Sequence, residues 1–204
     1  MSTEIFIDKV NPEDAEDFAN IMEISAPQLF PEVFGPSFKS IFKSLFINKN
    51  NLFSFENVNK AMFKGNLAGM ILAYDHKMKK REGWRTVKLI IKYMGFEFCK
   101  RFLIFMKLNQ AIASLLPGDY YISNIGVYTE YRNKGIGTAL LLHIEKEAIK
   151  AGIKRLVLDV ESYNTKAIKL YEKLRFMKES ESIININNKS FGFYKMTKKI
   201  NNIV

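Results

Sequence analysis

The clearest chemical signal in the sequence is the run Arg132-Asn-Lys-Gly-Ile-Gly137, which joins a predicted strand at Tyr121–Val127 to a predicted helix from Thr138. The first turn of a helix offers unpaired backbone N–H groups and a partial positive charge. The two glycines of the run remove side chains that would keep a phosphate away from those groups. The arginine and the lysine add positive charge at the same place. The run therefore predicts a loop that holds a diphosphate.

Two well-known nucleotide-binding loops do not match this run. A Walker loop places a lysine and then a serine or threonine directly after its last glycine, and here Thr138 follows Gly137 without a lysine. The dinucleotide fingerprint needs a third glycine, which is also missing. The sequence therefore argues against a nucleoside triphosphatase and against an NAD-binding protein.

Other reactive residue types are sparse. The single cysteine, Cys99, lies in an apolar predicted helix with no histidine near it in sequence, which disfavours an acyl-carrying thiolate. One cysteine cannot form an internal disulfide, and together with two histidines it cannot build a cysteine–histidine zinc site. No apolar run has membrane-spanning length, and the N-terminus lacks the basic leader of a secretory signal. We expect a reduced cytoplasmic protein with no metal and no membrane partner.

The hydrophobic pattern predicts the elements that position the loop, within a single domain over residues 1–204. The first half predicts a strand near Ile5–Val10, a helix from the cap Asn11 to about Ser25, an irregular stretch at Ala26–Pro36, a helix at Ser37–Asn48 and a hairpin at Lys60–Tyr74. A helical insertion at Asp75–Asp119 follows, with helices at Trp84–Tyr93 and Phe96–Leu115. Such apolar helices are typical of core or of a dimer surface, so a homodimer is one possibility.

The second half continues with alternating elements. It predicts a helix at Thr138–Ala151 that ends at Gly152, a buried strand at Leu156–Val160, a helix from the cap Asn164 to about Leu174 and a closing strand at Phe191–Met196. A strand, a helix and a second strand in succession imply parallel pairing there, whereas the hairpin implies antiparallel pairing. The fold class is α/β (α+β) with a mixed central sheet.

Two linked motifs make the span Ile125–Phe176 resemble the GNAT superfamily of N-acetyltransferases. The first motif is the strand end followed by the glycine loop and its helix, and the second lies about thirty residues further on. The matching residues are Gly126-Val127, Tyr131-Arg132-Asn133-Lys134-Gly135-Ile136-Gly137, Leu140-Leu141, Asn164, Ala167, Leu170-Tyr171 and Phe176. The hairpin and the closing strand also lie where the family places strands, so the resemblance covers about two-thirds of the chain, without the insertion.

The resemblance implies a mostly antiparallel GNAT-like sheet, acetyl-CoA as cosubstrate, and direct attack by a primary amine in a ternary complex. Tyr171 would protonate the departing thiolate, which a phenol can do because the thiol has the lower pKa. Asn164 would either contact the cofactor or cap its helix. The backbone of a bulged strand would pair with the pantetheine arm, and the loop would hold the pyrophosphate. The implied cofactor residues are Ile125, Val127, Arg132, Asn133, Lys134, Gly135, Ile136, Gly137, Thr138 and Asn164.

Three positions depart from the family pattern. Thr129 replaces a frequent proline, and Arg175 replaces the usual glycine before Phe176. The strand before the loop carries Ser123 and Asn124, where many relatives place a carboxylate that acts as general base. The base therefore has no assignment from sequence, and the options are Glu23, Tyr120, a chain of water molecules, or an amine that arrives neutral.

Charge is distributed unevenly along the chain. Residues 1–37 hold eight acidic residues and one basic residue, whereas the remainder holds 30 basic and 13 acidic residues. This field suits a phosphorylated cofactor. An acidic rim that includes Glu13, Glu16 and Asp17 would favour cationic acceptors such as polyamines or basic peptide termini, and the insertion would cover them as a lid. The alternatives are a CoA-binding sensor or scaffold without transfer activity and, with less support, a nucleic-acid-binding protein, since no stacking-aromatic or zinc pattern is present.

Overall fold

The structure is a computed structural model that describes residues 5–112 and 115–200. Its strands are β1 (Ile5–Lys9), β2 (Val58–Phe63), β3 (Asn66–Asp75), β4 (Asp119–Val127), β5 (Arg155–Glu161), β6 (Met177–Ile186) and β7 (Lys189–Lys199). Its α-helices are α1 (Ala15–Ser25), α2 (Leu29–Phe34), α3 (Phe38–Ile47), α4 (His76–Met94), α5 (Phe96–Ala111), α6 (Ile136–Lys150) and α7 (Thr165–Lys173). Within these ranges the strands form one seven-stranded sheet in the order β1-β2-β3-β4-β5-β7-β6.

The sheet is mostly antiparallel, as predicted, and its parallel pair opens it in the middle. Strands β4 and β5 pair in parallel only from Asp119 opposite Arg155 to Ile122 opposite Leu158. Beyond that point β4 continues along β3 and β5 continues along β7. A bulge leaves Ser123 without a partner residue on β3, because the register shifts there by one residue. Bulges bend the strand that carries them, so β4 and β5 diverge and leave a gap between their carboxyl ends.

Helices cover both faces of the sheet and bury two apolar layers. On one face, a phenylalanine cluster ties α1, α2 and α3 together; the rings of Phe18 and Phe46 stack with centroids 4.5 Å apart. On the other face, α6 packs Leu140, Leu141 and Ile144 against the sheet. Successive side chains of each strand point to opposite faces of the sheet and so pack into both layers. The gap between β4 and β5 therefore lies between two packed layers, and residues of both layers line it.

Three helix boundaries differ from the prediction. Helix α2 lies inside the stretch predicted to be irregular, because Pro31 is its third residue, where a missing backbone N–H costs little. Helix α4 begins eight residues before the predicted Trp84, because the Asp75 side chain accepts a hydrogen bond from the Met78 N–H and caps it. Helix α5 ends at Ala111, since Ile112 is extended, and part of its predicted end lies outside the described residues.

Strand β6 was not predicted. Its sequence is polar and its side chains are mostly exposed, because it forms the edge of the sheet. The turn to β7 is made by Asn187 and Asn188, both with left-handed backbones at φ of 48° and 63°. Paired asparagines in that conformation are typical of a tight hairpin. The Asn187-Asn188 pair was therefore the sequence signal that could have predicted β6.

The insertion forms the paired helices α4 and α5. They keep a set of large apolar side chains exposed: Trp84, Val87, Ile91, Phe96, Phe102, Leu103 and Met106. These side chains are the surface on which the homodimer prediction depends. None of the helices in the described ranges is both long and apolar enough to cross a membrane.

Candidate active site

The two glycines of the loop have different structural roles. Gly135 is the residue before α6 and has a left-handed backbone, with φ of 82°, and a Cβ there would meet only Ile5 Cδ1, at an ordinary contact distance of 3.9 Å. Gly137 lies where α6 approaches α7, and a Cβ at that position would lie 3.2 Å from Leu170 Cδ2. Gly135 is thus needed for the turn and Gly137 for close packing. Both effects bring the first N–H groups of α6 to the surface of the loop.

The positive side chains of the loop lie beside these N–H groups. The Arg132 Nε donates a hydrogen bond to the Val127 carbonyl at 3.3 Å, which holds the loop against the end of β4. The Lys134 ammonium lies 5.2 Å from the ring centroid of Phe63 and 5.4 Å from that of Tyr131. Ile136 is buried and offers only its backbone. The predicted combination of backbone donors and positive charge is therefore present.

A cavity of about 590 Å³ opens at this loop. It is lined by the end of β4, the loop, the first turn of α6 and the residues before and within the first turn of α7. Thr138 and Asn164 face it from the two helix starts. The Asn164 side chain accepts a hydrogen bond from the Ala167 N–H at 3.2 Å, so the predicted capping role is confirmed.

A second cavity, of about 320 Å³, fills the gap between β4 and β5. It shares Ile125, Gly126 and Val127 of β4 and Glu161 of β5 with the first cavity, so the two cavities adjoin. The edges of β4 and β5 that face this gap no longer pair with each other. A long ligand can thus extend from the loop into the sheet and offer hydrogen bonds to β4. The gap is the centre of the site.

Tyr171 reaches the gap cavity from α7. Its side chain is buried, its ring centroid lies 5.9 Å from that of Phe176, and its hydroxyl makes no hydrogen bond to another described residue. Burial raises the pKa of the Tyr171 phenol above its ordinary value, because the charged form loses solvation. The hydroxyl is therefore protonated at neutral pH and can donate to a group bound in the cavity.

Two carboxylates at the end of β5 also line the gap, and sequence reasoning missed both. Asp159 accepts a hydrogen bond from the Tyr121 hydroxyl at 2.9 Å. Glu161 is buried, and its Oε2 accepts a hydrogen bond from the Tyr163 hydroxyl. Their place at the carboxyl end of a predicted parallel strand could have predicted this, because ligands in open sheets bind outside the carboxyl ends of parallel strands. These carboxylates supply acidic groups at the gap, where the end of β4 has none.

The bases considered from sequence lie elsewhere. Glu23 forms an ion pair with Lys39 at 2.6 Å. Tyr120 packs in the apolar layer under α6, and burial raises the pKa of its phenol. Neither is among the described residues that line the gap cavity. Ser123 and Asn124 do line it, and the Asn124 amide donates to Ser25 Oγ at 3.0 Å.

Curated proteins similar to this chain align with it over short stretches. The ribosomal protein bS18-alanine N-acetyltransferase of Escherichia coli K12 is 39% identical over 66 residues, which is 32% of this chain and 45% of that protein. The N-alpha-acetyltransferase 30 of Xenopus laevis is 41% identical over 63 residues, which is 29% of this chain and 22% of that protein. The matched stretch thus spans less than half the length of these relatives.

Solved structures share the fold over nearly the whole chain. An N-acetyltransferase from Staphylococcus aureus Mu50 superposes with a TM-score of 0.67 and 18% identity, covering 95% of this chain and 100% of that one. The putative acetyltransferase yncA from Salmonella typhimurium, solved with its cofactor acetyl-CoA, superposes with a TM-score of 0.61 and 14% identity, covering 97% and 95%. A sequence model described as the acetyltransferase (GNAT) family matches residues 18–176. The chain belongs to that family.

Proposed function

We propose that this protein transfers an acetyl group from acetyl-CoA to a primary amine. The observation that carries the proposal is the gap between β4 and β5, where two adjoining cavities bring together the N-terminus of α6, Tyr171 and the carboxylates of β5. The backbone N–H groups of α6, the free edge of β4 and the protonated Tyr171 phenol thus line the same site. Membership of the acetyltransferase family supports the same activity.

The described residues fit acetyl-CoA as a cosubstrate. The pyrophosphate would lie against the N–H groups at the start of α6, where the helix dipole and the loop cations favour negative charge. Gly135 carries no side chain, and the nearest atom to its Cβ position is Ile5 Cδ1 at 3.9 Å, so phosphate oxygens could approach the backbone there. The pantetheine amides would hydrogen-bond to the free edge of β4 at Ile125 and Val127. When bound, this cosubstrate supplies the thioester carbonyl that the amine attacks.

Tyr171 is the proton donor in this proposal. Its neutral phenol faces the gap cavity, and its hydroxyl is free to donate to the sulfur that leaves the carbonyl. A buried donor of this kind contributes about 100-fold or more to a reaction when it is in reach of the leaving group. The geometry thus supports the role implied by the family resemblance.

Transfer through Cys99 has no structural support. Cys99 is exposed on α5, and it is not among the described residues that line the gap cavity. The amine would therefore attack the thioester directly, with both substrates bound. A module that binds CoA without transfer remains the competing hypothesis, and it predicts binding without release of free thiol.

The experiment that tests the proposal follows thiol release from acetyl-CoA with a panel of primary amines. Because Cys99 is exposed and would react with the thiol reagent, the assay uses the Cys99→Ser variant. We expect thiol release to require an amine, together with a mass gain of one acetyl group on that amine. Saturable acetyl-CoA binding without turnover on any amine would favour the non-catalytic module. Absence of acetyl-CoA binding at low salt would contradict both hypotheses.

A further inference from the structure

Glu161 has an unsatisfied oxygen in the middle of the candidate site. The residue is 6% exposed, and its Oε1 has no hydrogen-bond partner among the described residues. Its other oxygen, Oε2, accepts a hydrogen bond from the Tyr163 hydroxyl, which fixes the carboxylate in place. Glu161 lines both the cavity in the gap and the cavity at the loop.

Leaving a buried carboxylate oxygen without a donor is costly. A desolvated polar group without a partner keeps the full penalty of leaving water, and that penalty is larger for a charged group. Proteins satisfy most such groups, so an exception at a cavity points to a donor that arrives with a ligand. The ligand group that fits is an ammonium or amine nitrogen, which donates where Oε1 accepts.

One wall of the gap cavity, on the side away from α7, is apolar. Helix α2, the loop before β2, the end of α5 and β7 contribute its residues Leu29, Phe30, Phe34, Phe53, Leu108 and Phe193. These side chains offer no groups for a second charge on the ligand. Burying a charge among them without a partner would be strongly unfavourable, because the charge loses its hydration. Asp159, the other carboxylate that lines the gap, already accepts a hydrogen bond from the Tyr121 hydroxyl.

We infer that the acceptor is a primary amine carried on an aromatic or aliphatic body, and that Glu161 binds its nitrogen and takes its proton. The inference depends on the proposed acetyltransferase function and assigns it a substrate class. The apolar wall would hold the body of the acceptor, and Oε1 would hold its ammonium group. Apolar area removed from water would supply most of the binding free energy.

This substrate class differs from the polyamines and basic peptide termini favoured by the charge of the N-terminal segment. Glu16 forms an ion pair with Lys43, and Asp17 accepts a hydrogen bond from the Tyr128 hydroxyl. Neither of these carboxylates, nor Glu13, is among the described residues that line the gap cavity. Glu16 and Asp17 of the acidic rim thus make contacts within the fold, and none of the three lines the gap.

Protons and electrons balance in the reaction. The Glu161 carboxylate takes one proton from the ammonium group, and the nitrogen lone pair then forms a bond to the thioester carbon. The carbon–sulfur bond breaks, and its electron pair leaves with the sulfur, which receives the Tyr171 proton. The second proton of the nitrogen restores Tyr171, and Glu161 returns its proton to solvent. The products are an N-substituted acetamide, free CoA thiol and one proton.

The pH dependence follows from the groups around Glu161. Burial raises the pKa of its carboxyl, and the hydrogen bond from Tyr163 opposes that rise. The other ionisable side chains near the gap, with their elements, are Asp159 on β5, Lys195 beside it on β7, Lys79 on α4, Tyr74 on β3, Tyr121 on β4 and Tyr171 on α7. The carboxylate must be ionised to accept a proton, so activity should be lost as pH falls through its pKa.

The first test compares acceptors and removes the charge. Phenethylamine and hexylamine should be acetylated with kcat/KM about tenfold or more above that of spermidine, because the wall residues offer a second ammonium no partner and Asp159 already accepts the Tyr121 hydroxyl. Glu161→Gln should lower kcat/KM for the amine about 100-fold and leave the acetyl-CoA Kd within about twofold. Glu145→Gln is the matched control, since Glu145 is also partly buried but pairs with Lys198 outside the gap.

The second test distinguishes proton transfer from a structural role. Tyr163→Phe removes the hydrogen bond that stabilises the Glu161 anion, so the acid limb of the kcat/KM profile should move to higher pH, with the rate retained on the alkaline side. An unmoved limb, a preference for spermidine, or full activity of Glu161→Gln would overturn this inference while leaving the acetyltransferase proposal in place. Failure of every amine would instead contradict the proposed function itself.

Discussion

Asp119 and Arg155 join the first residues of β4 and β5 by two parallel hydrogen bonds, with Nε to Oδ1 at 2.7 Å and Nη2 to Oδ2 at 2.8 Å. Asp119 also accepts the Leu116 N–H at 2.7 Å, and Arg155 reaches Glu179 of β6 at 3.0 Å. The parallel strands are thus clamped at one end, while the bulge at Ser123 parts them at the other. The candidate site is the open end of a wedge whose closed end is this ion pair.

Asp119→Asn should therefore lower the free energy of unfolding by about 2–3 kcal/mol at pH 7, because it leaves Arg155 without its bidentate partner. Burial acts to raise the pKa of Asp119, but the hydrogen bonds from Arg155 and the Leu116 N–H outweigh it, and the pKa is lowered. A lowered pKa in the folded state stabilises the fold above the unfolded pKa of about 3.9. The stabilisation is then lost as pH falls through the folded value.

Urea unfolding from pH 7 to pH 2.5 measures this effect, and the gap between wild type and Asp119→Asn should narrow at the acid end. Glu181→Gln is the control, because Glu181 pairs with Lys178 on the exposed edge strand and should contribute less than about 1 kcal/mol. A constant difference at all pH values would show that the carboxylate charge is not what stabilises the clamp.

Gly135→Ala tests the loop. The backbone at Gly135 is left-handed, so alanine should cost about 1–2 kcal/mol of stability and shift the first N–H groups of α6. Acetyl-CoA affinity, measured by calorimetry at low salt, should fall with it. Gly152→Ala is a matched control, because Gly152 is also left-handed, at φ of 68°, with free space around its Cβ position.

The two variants should lose similar stability, whereas only Gly135→Ala should lose affinity for acetyl-CoA. Wild-type binding should also weaken as salt is raised, since charge contributes to it. Equal affinities in both variants would place the phosphates away from this loop.

Tyr171→Phe keeps the ring and removes the proton donor. Turnover should fall about 100-fold or more with little change in acetyl-CoA affinity, because the phenol acts on the leaving group. The melting temperature should hold steady, as the hydroxyl makes no hydrogen bond to another described residue. Tyr93→Phe is the control, since the Tyr93 hydroxyl accepts a hydrogen bond from Asn48 outside the site. Wild-type turnover in Tyr171→Phe would remove this residue from the mechanism.

The loop and the second motif were predictable because local sequence determines them. Gly135 marks a left-handed turn, and Asn164 accepts the N–H of Ala167 within its own helix turn. The carboxylates of the gap were not predictable in the same way. Glu161 gains its role from the divergence of β4 and β5, and that divergence depends on a pairing between residues more than thirty positions apart. Sequence reasoning considered Glu23, Tyr120, a chain of water molecules and a neutral amine, but no residue of β5.

The other differences between the predicted and the observed elements arise at the edge strand and at a helix cap. Strand β6 pairs with β7 through its backbone, so its polar side chains carry little of the alternation that marks a half-buried strand. Helix α4 starts inside a run of lysines, where charge obscures the periodicity and only the Asp75 cap marks the boundary. In both places hydrogen bonds to backbone N–H groups, rather than the hydrophobic pattern, determine the structure.

Gly126→Ala tests how α1 shapes the acceptor side of the gap. A Cβ at this position on β4 would lie 2.9 Å from Ile21 Cγ2 and 3.0 Å from the Ile21 carbonyl oxygen. The backbone of α1 cannot yield without shifting the helix, so we expect a loss of about 1–3 kcal/mol in stability. The KM for the amine should rise more than the KM for acetyl-CoA, because α1 borders the acceptor side.

Gly83→Ala is the matched control for this substitution. Gly83 lies inside α4 with free space around its Cβ position, so alanine there should stabilise the protein by about 0.5–1 kcal/mol. The same chemical change should thus have opposite signs at the two sites in thermal unfolding. If Gly126→Ala matched Gly83→Ala in stability and kept both KM values, the close contact between α1 and β4 would have no part in forming the acceptor site.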